Sequence, residues 1–469
     1  MRGFPFTGRQ AELAVLEDEY AQGGFVVVYG RRRVGKTALI RQFIEDKEAL
    51  YFLASKEDDA VNLQRFCRKA AAFTGNDVLG EARVDDWRVP FEAIAKSHAD
   101  RPCVVALDEF PYLVASNRAM PSIMQGVWDE MLADSGVTLV LCGSSVSMMH
   151  DEVLSSKSPL YGRRTAQIHL HPFSFAETRQ ALGEVSYERA VRVHALTGGV
   201  PKYLEFFCSG RGLEDAVRRH VLSTSGYLYQ EPAFLLAEDT RGSSVHLSIL
   251  GAIAQGNRKV SEIGAFLGRR AQDVTPYLAL LSSLGYIERR VPFSERYPER
   301  SKNGLYDVSD GFMAFWLLYV EPFAGELEMG NMQPSLEALQ RTFESRFVPR
   351  TFERIAAEDL ARLCLEGRID FVPSRIGGFW NRNATVELDV CADDNQSERT
   401  FLGECKYYAR KPVGMEEYRR LAAKADLVPR RSNGLLLGLF SHTGFSEELL
   451  ERGARDESLV LVDRGLRVC

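Results

Sequence analysis

Phe25-Val26-Val27-Val28-Tyr29-Gly30-Arg31-Arg32-Arg33-Val34-Gly35-Lys36-Thr37-Ala38 decides the fold of this 469-residue chain. Its first five residues are continuously apolar and rich in β-branched and aromatic types, the mark of a parallel strand covered on both faces. The next eight fit the pattern G-x-x-x-x-G-K-S/T, and Ala38 to Ile44 has the apolar spacing of a helix. Each part has a mechanical role. Gly30 and Gly35 let the backbone curl, so that N–H groups between Gly30 and Ala38 converge on phosphate oxygens, and the helix N-terminus adds positive potential. Lys36 is expected to reach the β- and γ-phosphates, and the Thr37 hydroxyl to ligate magnesium. The predicted ligands are ATP and Mg2+, on an α/β domain.

A second buried-strand run, Val104-Val105-Ala106-Leu107, ends in Asp108-Glu109. Downstream of a phosphate loop, Asp108 is the expected magnesium partner through water. Glu109 is the expected residue that orients and activates the attacking water. A third run, Val137 to Cys142, ends at Gly143-Ser144-Ser145. It offers Ser144 as a contact to the γ-phosphate or the lytic water, although serine at a strand end is also ordinary turn chemistry. Arg163 and Arg164 precede a fourth run, Thr165 to Leu170. They have the reach of an arginine finger, within the chain or from a neighbouring subunit, and equally the look of a solvated basic pair. His169 and His171 have no third ligand in the pattern and read as structural.

Composition narrows the class. A 45% hydrophobic share with 10% aromatics can bury real cores, and the length suggests about three domains. The net charge of −6, from 58 basic and 64 acidic residues, excludes a chain that is basic throughout, so any surface for DNA must be local. The eight cysteines are scattered without a C-x-x-C pair, which suits reduced thiols. The longest uncharged apolar run, Phe312 to Val320, has nine residues, whereas a bilayer span takes about twenty. Met1-Arg2-Gly3-Phe4-Pro5 carries no signal-peptide pattern. The expectation is a cytoplasmic protein with no membrane partner.

With the phosphate loop, four further runs resemble the archaeal-type P-loop ATPase family, part of the AAA+-related STAND group. They are Phe6-Thr7-Gly8-Arg9-Gln10-Ala11-Glu12-Leu13, Leu107-Asp108-Glu109-Phe110-Pro111-Tyr112-Leu113, Leu170-His171-Pro172-Phe173 and Thr197-Gly198-Gly199-Val200-Pro201. The resemblance covers about the first half of the chain. It implies that Phe6 to Glu12, with Arg9, lies near the adenine, and that Gly198 to Pro201 begins lid helices that sense nucleotide. It also implies that Arg163 or Arg164 stands where AAA+ relatives carry an arginine finger.

Past the lid, Val245 to Ala254 reads as a helix, Ser261 to Leu267 as a second capped by Ser261, and Asp273 to Leu284 as a third closed by Gly285. Strands near Tyr286–Val291 and Leu305–Val308 follow. This order describes a winged helix-turn-helix. Residues 245–302 hold nine Lys/Arg and five Asp/Glu, a local excess of four. That excess fits phosphate contacts from Arg269, Arg270, Arg289, Arg290 and Lys302, and it also fits a protein–protein module. Glu321 to Gln340, with Gly325, Gly330, Asn331, Pro334 and Ser335, reads as a linker.

Phe343 to Cys364 reads as a long amphipathic helix carrying Glu344, Glu353 and Glu358. In the strand Thr385 to Ala392, Glu387 and Asp389 share a face, and in Thr400 to Tyr407 so do Glu404 and Lys406. Carboxylates on adjacent strands can grip a hard divalent ion, and a lysine beside them can orient water or stabilise a pentavalent phosphate. Acid and lysine alternating on a strand also describe an ordinary solvated sheet. The spacing resembles the PD-(D/E)XK nuclease superfamily, which implies Asp389, Glu404 and Lys406 as its catalytic set and Glu353 as a further metal-binding acid. Val386-Glu387-Leu388 replaces the proline usual before the first acid. The tail as a whole resembles the C-terminal domain often fused to archaeal-type ATPases.

The predicted architecture is α/β: an ATPase core with a parallel sheet at 1–182, a helical lid at 183–240, a winged helix at 241–322, a linker at 323–342 and a nuclease-like α/β domain at 343–469. The predicted function is a magnesium-dependent ATPase that couples nucleotide state to a DNA-binding winged helix and a nuclease-like domain. The alternative is a STAND-type switch whose tail is a non-catalytic scaffold, with other protein subunits or further copies of the chain as partners.

Overall fold

The apolar runs form strands because each can be buried on both faces. Phe25, Val26, Val27 and Val28 have no exposed surface, nor have Val104 to Leu107 or Leu139 to Cys142. A side chain of this kind contributes about 1.5–3 kcal/mol when fully buried. β1 (Phe25–Tyr29), β2 (Ala49–Leu53), β3 (Cys103–Asp108), β4 (Val137–Gly143) and β5 (Ala166–His169) form one sheet in the order β2-β3-β4-β1-β5. All four pairings are parallel. α1 (Gln10–Gln22) precedes β1 and α2 (Lys36–Phe43) follows the phosphate loop. The computed structural model describes residues 4–99, 101–208, 212–240, 244–383, 385–394, 396–428 and 434–469. The chain divides into two units, Met1–Phe173 with Val200–Lys202, and Ser174–Gly199 with Tyr203–Cys469.

The second unit begins with α3 (Phe175–Leu182), whose capping box joins Ser174 and Glu177, and α4 (Tyr187–Thr197). His194 of α4 is buried, and its Nδ1 lies 2.8 Å from the Thr178 hydroxyl. Burial, with a smaller push from the Arg354 charge, lowers its pKa to about 4. The unfolded imidazole, near 6.5, therefore binds more protons than the folded one between those two values, and stability falls as pH falls through that window. Between pH 7 and pH 5 the loss is about 2 kcal/mol. Melting midpoints measured at the two pH values check this, and His194→Gln is expected to flatten the dependence.

α5 (Ser244–Ala254), α6 (Val260–Phe266) and α7 (Ala271–Ser283) lead into the antiparallel hairpin β6 (Ile287–Arg290) and β7 (Leu305–Val308). The start of α6 is satisfied by the Glu262 carboxylate, which accepts the N–H groups of Arg258 and Lys259 at 3.0 Å each. Ser261, expected as the cap, lies inside the helix instead. α8 (Gly311–Tyr319) is the aromatic run, buried as core. The stretch expected as a linker is helical over Ala324–Glu328 and Gln333–Thr342. Pro334 sits in a first turn, where its missing N–H costs nothing, and Ser335 is fully buried and donates to the Tyr319 carbonyl.

α9 (Val348–Leu365), with Val348, Phe352, Ile355, Ala356, Leu360 and Leu363 buried, packs on a six-stranded sheet. Its strands are β8 (Pro373–Trp380), β9 (Glu387–Asp394), β10 (Arg399–Lys406), β11 (Leu435–Ser441), β12 (Leu459–Asp463) and β13 (Leu466–Arg467), in the order β13-β12-β11-β10-β9-β8. β8, β9 and β10 are antiparallel neighbours, and β10, β11 and β12 are parallel. α10 (Met415–Ala425) and α11 (Glu447–Arg455) connect the parallel strands. The loop of the β6–β7 hairpin enters this domain. Phe293 is 5% exposed among Phe379, Leu388 and Leu402, and its N–H donates to Gly378 at 2.9 Å. Trp380 Nε1 returns a bond to the Asn303 carbonyl at 3.0 Å. Among the described residues no helix is long and apolar enough to cross a membrane.

Candidate functional site

The strand order sets the first site. β3, β4 and β1 are adjacent and parallel, so the loops at their carboxyl ends lie side by side, and residues 71 positions apart come into contact. Gly30 follows β1 at φ 156° where a Cβ would stand 2.3 Å from the Leu170 carbonyl oxygen, so only glycine fits. Gly35 takes φ 95° at the entry to α2. Lys36 is 6% exposed, and its ammonium donates to the carbonyls of Gly30 and Arg31 at 2.9 Å each. Burial lowers its pKa, against the pull of Glu109 and Asp108.

The Thr37 hydroxyl donates to Asp108 Oδ2 at 2.7 Å. Tyr51, on β2, donates to the same oxygen at 2.7 Å, and the other Asp108 oxygen accepts the Glu109 N–H at 3.0 Å. Asp108 is thus 1% exposed and held on three sides. Glu109 has φ 57°, an uncommon conformation for a residue with a side chain. Its Oε2 accepts from the Ser144 hydroxyl at 2.8 Å and from the Ser144 N–H at 3.4 Å. The arrangement sets a cation, a hydroxyl and two carboxylates around one loop, Asp108 held by Thr37 and Tyr51 and Glu109 by Ser144.

Arg9 and Pro201 reach the same loop. Arg9 Nη2 donates to the carbonyls of His171 at 2.6 Å and Val34 at 3.3 Å, and its guanidinium lies 4.7 Å over the Phe173 ring. Pro201 lies 3.9 Å from where a Gly35 Cβ would stand. The two candidate finger residues are held elsewhere in the loop that precedes β5. Arg163 pairs with Asp129 at 3.0 Å and donates to the Pro159 and Tyr161 carbonyls, and Arg164 reaches the Leu154 carbonyl at 3.5 Å. Tyr51 escaped sequence reasoning because nothing local marks a strand tyrosine as the partner of an acid on the next strand.

In the C-terminal sheet, Asp389 on β9 and Glu404 on β10 lie on neighbouring strands, and Asp389 Oδ2 accepts the Cys405 N–H at 2.8 Å. Glu353 comes from α9. Burial raises the Glu353 pKa first and the adjacent Asp389 charge raises it further, while burial also raises Asp389. Glu404 behaves differently. It is 2% exposed with Lys406 Nζ 2.5 Å from one oxygen and Lys424 Nζ, from α10, on the other. Burial pushes its pKa up, but the two ammonium groups outweigh that and hold it low. Among the described residues no three His, Cys, Asp or Glu side chains form a group able to hold a metal ion. Of the expected set, beyond the effect of burial, Glu353 is raised by the Asp389 charge and Asp389 by that of Glu404, while Glu404 is also engaged by two lysines. Lys424 was not foreseen, because its partner lies 20 positions away on another element.

Residues 6–207 match a family model described as an ATPase domain predominantly from Archaea, and residues 316–418 match one described as archaeal and bacterial proteins of unknown function. The uncharacterized protein MJECL04 of Methanocaldococcus jannaschii is 30% identical over 426 residues, covering 90% of this chain and 92% of that one. The chain belongs to the archaeal ATPase family. A second M. jannaschii relative, the uncharacterized protein MJ0424, is 39% identical to this archaeal ATPase over 92 residues, 19% of the chain and 85% of the relative. Among solved structures, the Walker-type ATPase PABY2304 of Pyrococcus abyssi is 19% identical with a TM-score of 0.52, covering 66% of this chain and 96% of that one. That likeness extends to the fold.

Proposed function

We propose that this archaeal ATPase binds Mg-ATP at the Gly30–Ala38 loop, hydrolyses it, and couples the nucleotide's state to nucleic-acid work by its C-terminal sheet domain. The observation that carries the reading is the convergence of Lys36, Thr37, Asp108, Glu109 and Ser144 from the ends of three adjacent parallel strands. The Thr37 hydroxyl and the Asp108 carboxylate, 2.7 Å apart, form the oxygen pair that suits magnesium, one directly and one through water. Magnesium there would neutralise charge on the phosphates. Lys36 would leave its loop carbonyls for the phosphate oxygens, and Glu109 would leave Ser144 to take a proton from the attacking water. The helices and hairpin of 244–308 would be a winged helix, and the sheet domain of PD-(D/E)XK type would work with Asp389, Glu404, Lys406 and Glu353.

A second reading has its own observation. Glu404 closed by two lysines suits a STAND-type switch whose tail recognises a partner without cutting it. Plasmid DNA incubated with Mg2+ or Mn2+, with and without ATP, separates the two. Nuclease work predicts nicking by the wild type that falls by about 10–100-fold in Asp389→Ala and Lys406→Ala. Intact plasmid in every lane, from protein that still turns over ATP, would leave the switch.

A further inference from the structure

The cations of the helix-and-hairpin region do not share one face. Arg270 pairs with Asp273 at 3.0 Å, and Arg289 donates to the carbonyls of Pro298, at 3.0 Å, and Ser301. Arg290 is turned toward the C-terminal sheet. A Cβ at Gly378 of β8 would lie 3.0 Å from Arg290 Nη2 and 3.6 Å from the Asp389 carbonyl oxygen, so a strand residue without a side chain lets the guanidinium lie against the Asp389 strand. The Arg290 guanidinium also stands 5.8 Å from the Trp380 ring centroid. Its Nη1 is 3.4 Å from Asp307 Oδ2, an oxygen that Arg258 already approaches to 2.5 Å.

Arg350 is exposed one turn before Glu353 on α9, on the same side of the helix, and the Arg350 and Arg290 charges both act on the Glu353 carboxyl. Lys406 and Lys424 engage the third acid, Glu404. Side-chain exposures of 30% for Arg290, 24% for Lys406 and 37% for Lys424 leave each of these paired cations partly open to solvent. The hairpin loop, by contrast, is committed to the sheet through Phe293, Asn303 and the Glu295 and Pro292 carbonyls, which accept from Arg375 at 3.1 and 3.3 Å. These bonds fix both ends of the loop to the sheet.

We propose that Arg290 and Arg350 hold the sugar–phosphate backbone of double-stranded DNA at the C-terminal carboxylate site, so that the hairpin serves this site instead of reading a groove with its loop. The proposal rests on the nuclease-like reading of that site. Guanidinium groups match phosphate oxygens two at a time, and Lys406 and Lys424 already offset the charge of Glu404.

Fluorescence anisotropy of a labelled DNA duplex with the full chain, over a salt series, tests it. Arg290→Ala and Arg350→Ala are each expected to weaken binding roughly tenfold and to lower the salt slope by about one. Arg290→Lys should restore the slope more than the affinity, and Arg269→Ala, at the exposed turn between α6 and α7, should leave both unchanged. Arg350 is exposed on α9, so its variant carries the test even where loss of the Asp307 pair unfolds Arg290→Ala. Wild-type binding that both alanine variants retain in full overturns the proposal and leaves the nuclease-like reading standing. A loss confined to Arg269→Ala overturns it in favour of the helix-turn-helix as the DNA surface. A wild type with no salt-dependent binding removes the nuclease-like reading and this inference together.

Discussion

Lys36→Ala is expected to lower ATP turnover by at least about 10²–10³-fold, the scale seen when one preorganised positive contact to a reacting oxygen is removed. The ammonium group is buried and rests on two carbonyls of its own loop at 2.9 Å, so its charge is already held at the loop. Burial makes that charge costly to keep and correspondingly strong when a phosphate arrives. Alanine removes it together with the bonds to the Gly30 and Arg31 carbonyls, while the glycines that permit the Gly30 and Gly35 conformations remain. Steady-state turnover and calorimetric uptake of Mg-ATP measure the loss, with the melting midpoint as the check on folding. Wild-type turnover in this variant would sink the phosphate-cradle assignment.

Glu109→Gln is the sharper test of chemistry. The amide oxygen of glutamine can still accept from the Ser144 hydroxyl, now 2.8 Å from the carboxylate, so the local geometry survives. What disappears is a base. Turnover is expected to fall by about 10²–10⁴-fold with nucleotide affinity retained. Single-turnover kinetics beside equilibrium binding separate the two quantities. A variant that hydrolyses at the normal rate would mean that another group activates the water.

The parallel sheet was legible because its central strands are buried on both faces, and two-sided burial leaves uninterrupted apolar runs such as Phe25–Tyr29 and Cys103–Leu107. The phosphate loop was legible because its chemistry is local, with glycines, lysine and threonine at fixed spacing. β8 carries no such signal: Pro373-Ser374-Arg375-Ile376-Gly377-Gly378-Phe379-Trp380 is an edge strand, and its register shifts between Gly377 and Phe379. Its two glycines give no strand signal, and the close approach of Arg290 accounts for one of them. The helices at 324–328 and 333–342 were hidden by Gly, Asn and Pro, which punctuate helix ends as often as they mark linkers. Tyr51, Arg290 and Lys424 share a different obstacle. Each finds its partner on another element, and no spacing along the chain announces that kind of contact.

Phe293 has a bearing on how the polypeptide may be divided. Its ring fills a socket whose other walls belong to β8, β9 and β10, although it precedes them by some eighty or more positions. A fragment beginning at residue 343 would open that socket to water and strip the Gly378 carbonyl of its donor. Proteolytic dissection is accordingly expected to release the hairpin and the six-stranded sheet as one resistant piece, and recombinant fragments cut between them to aggregate.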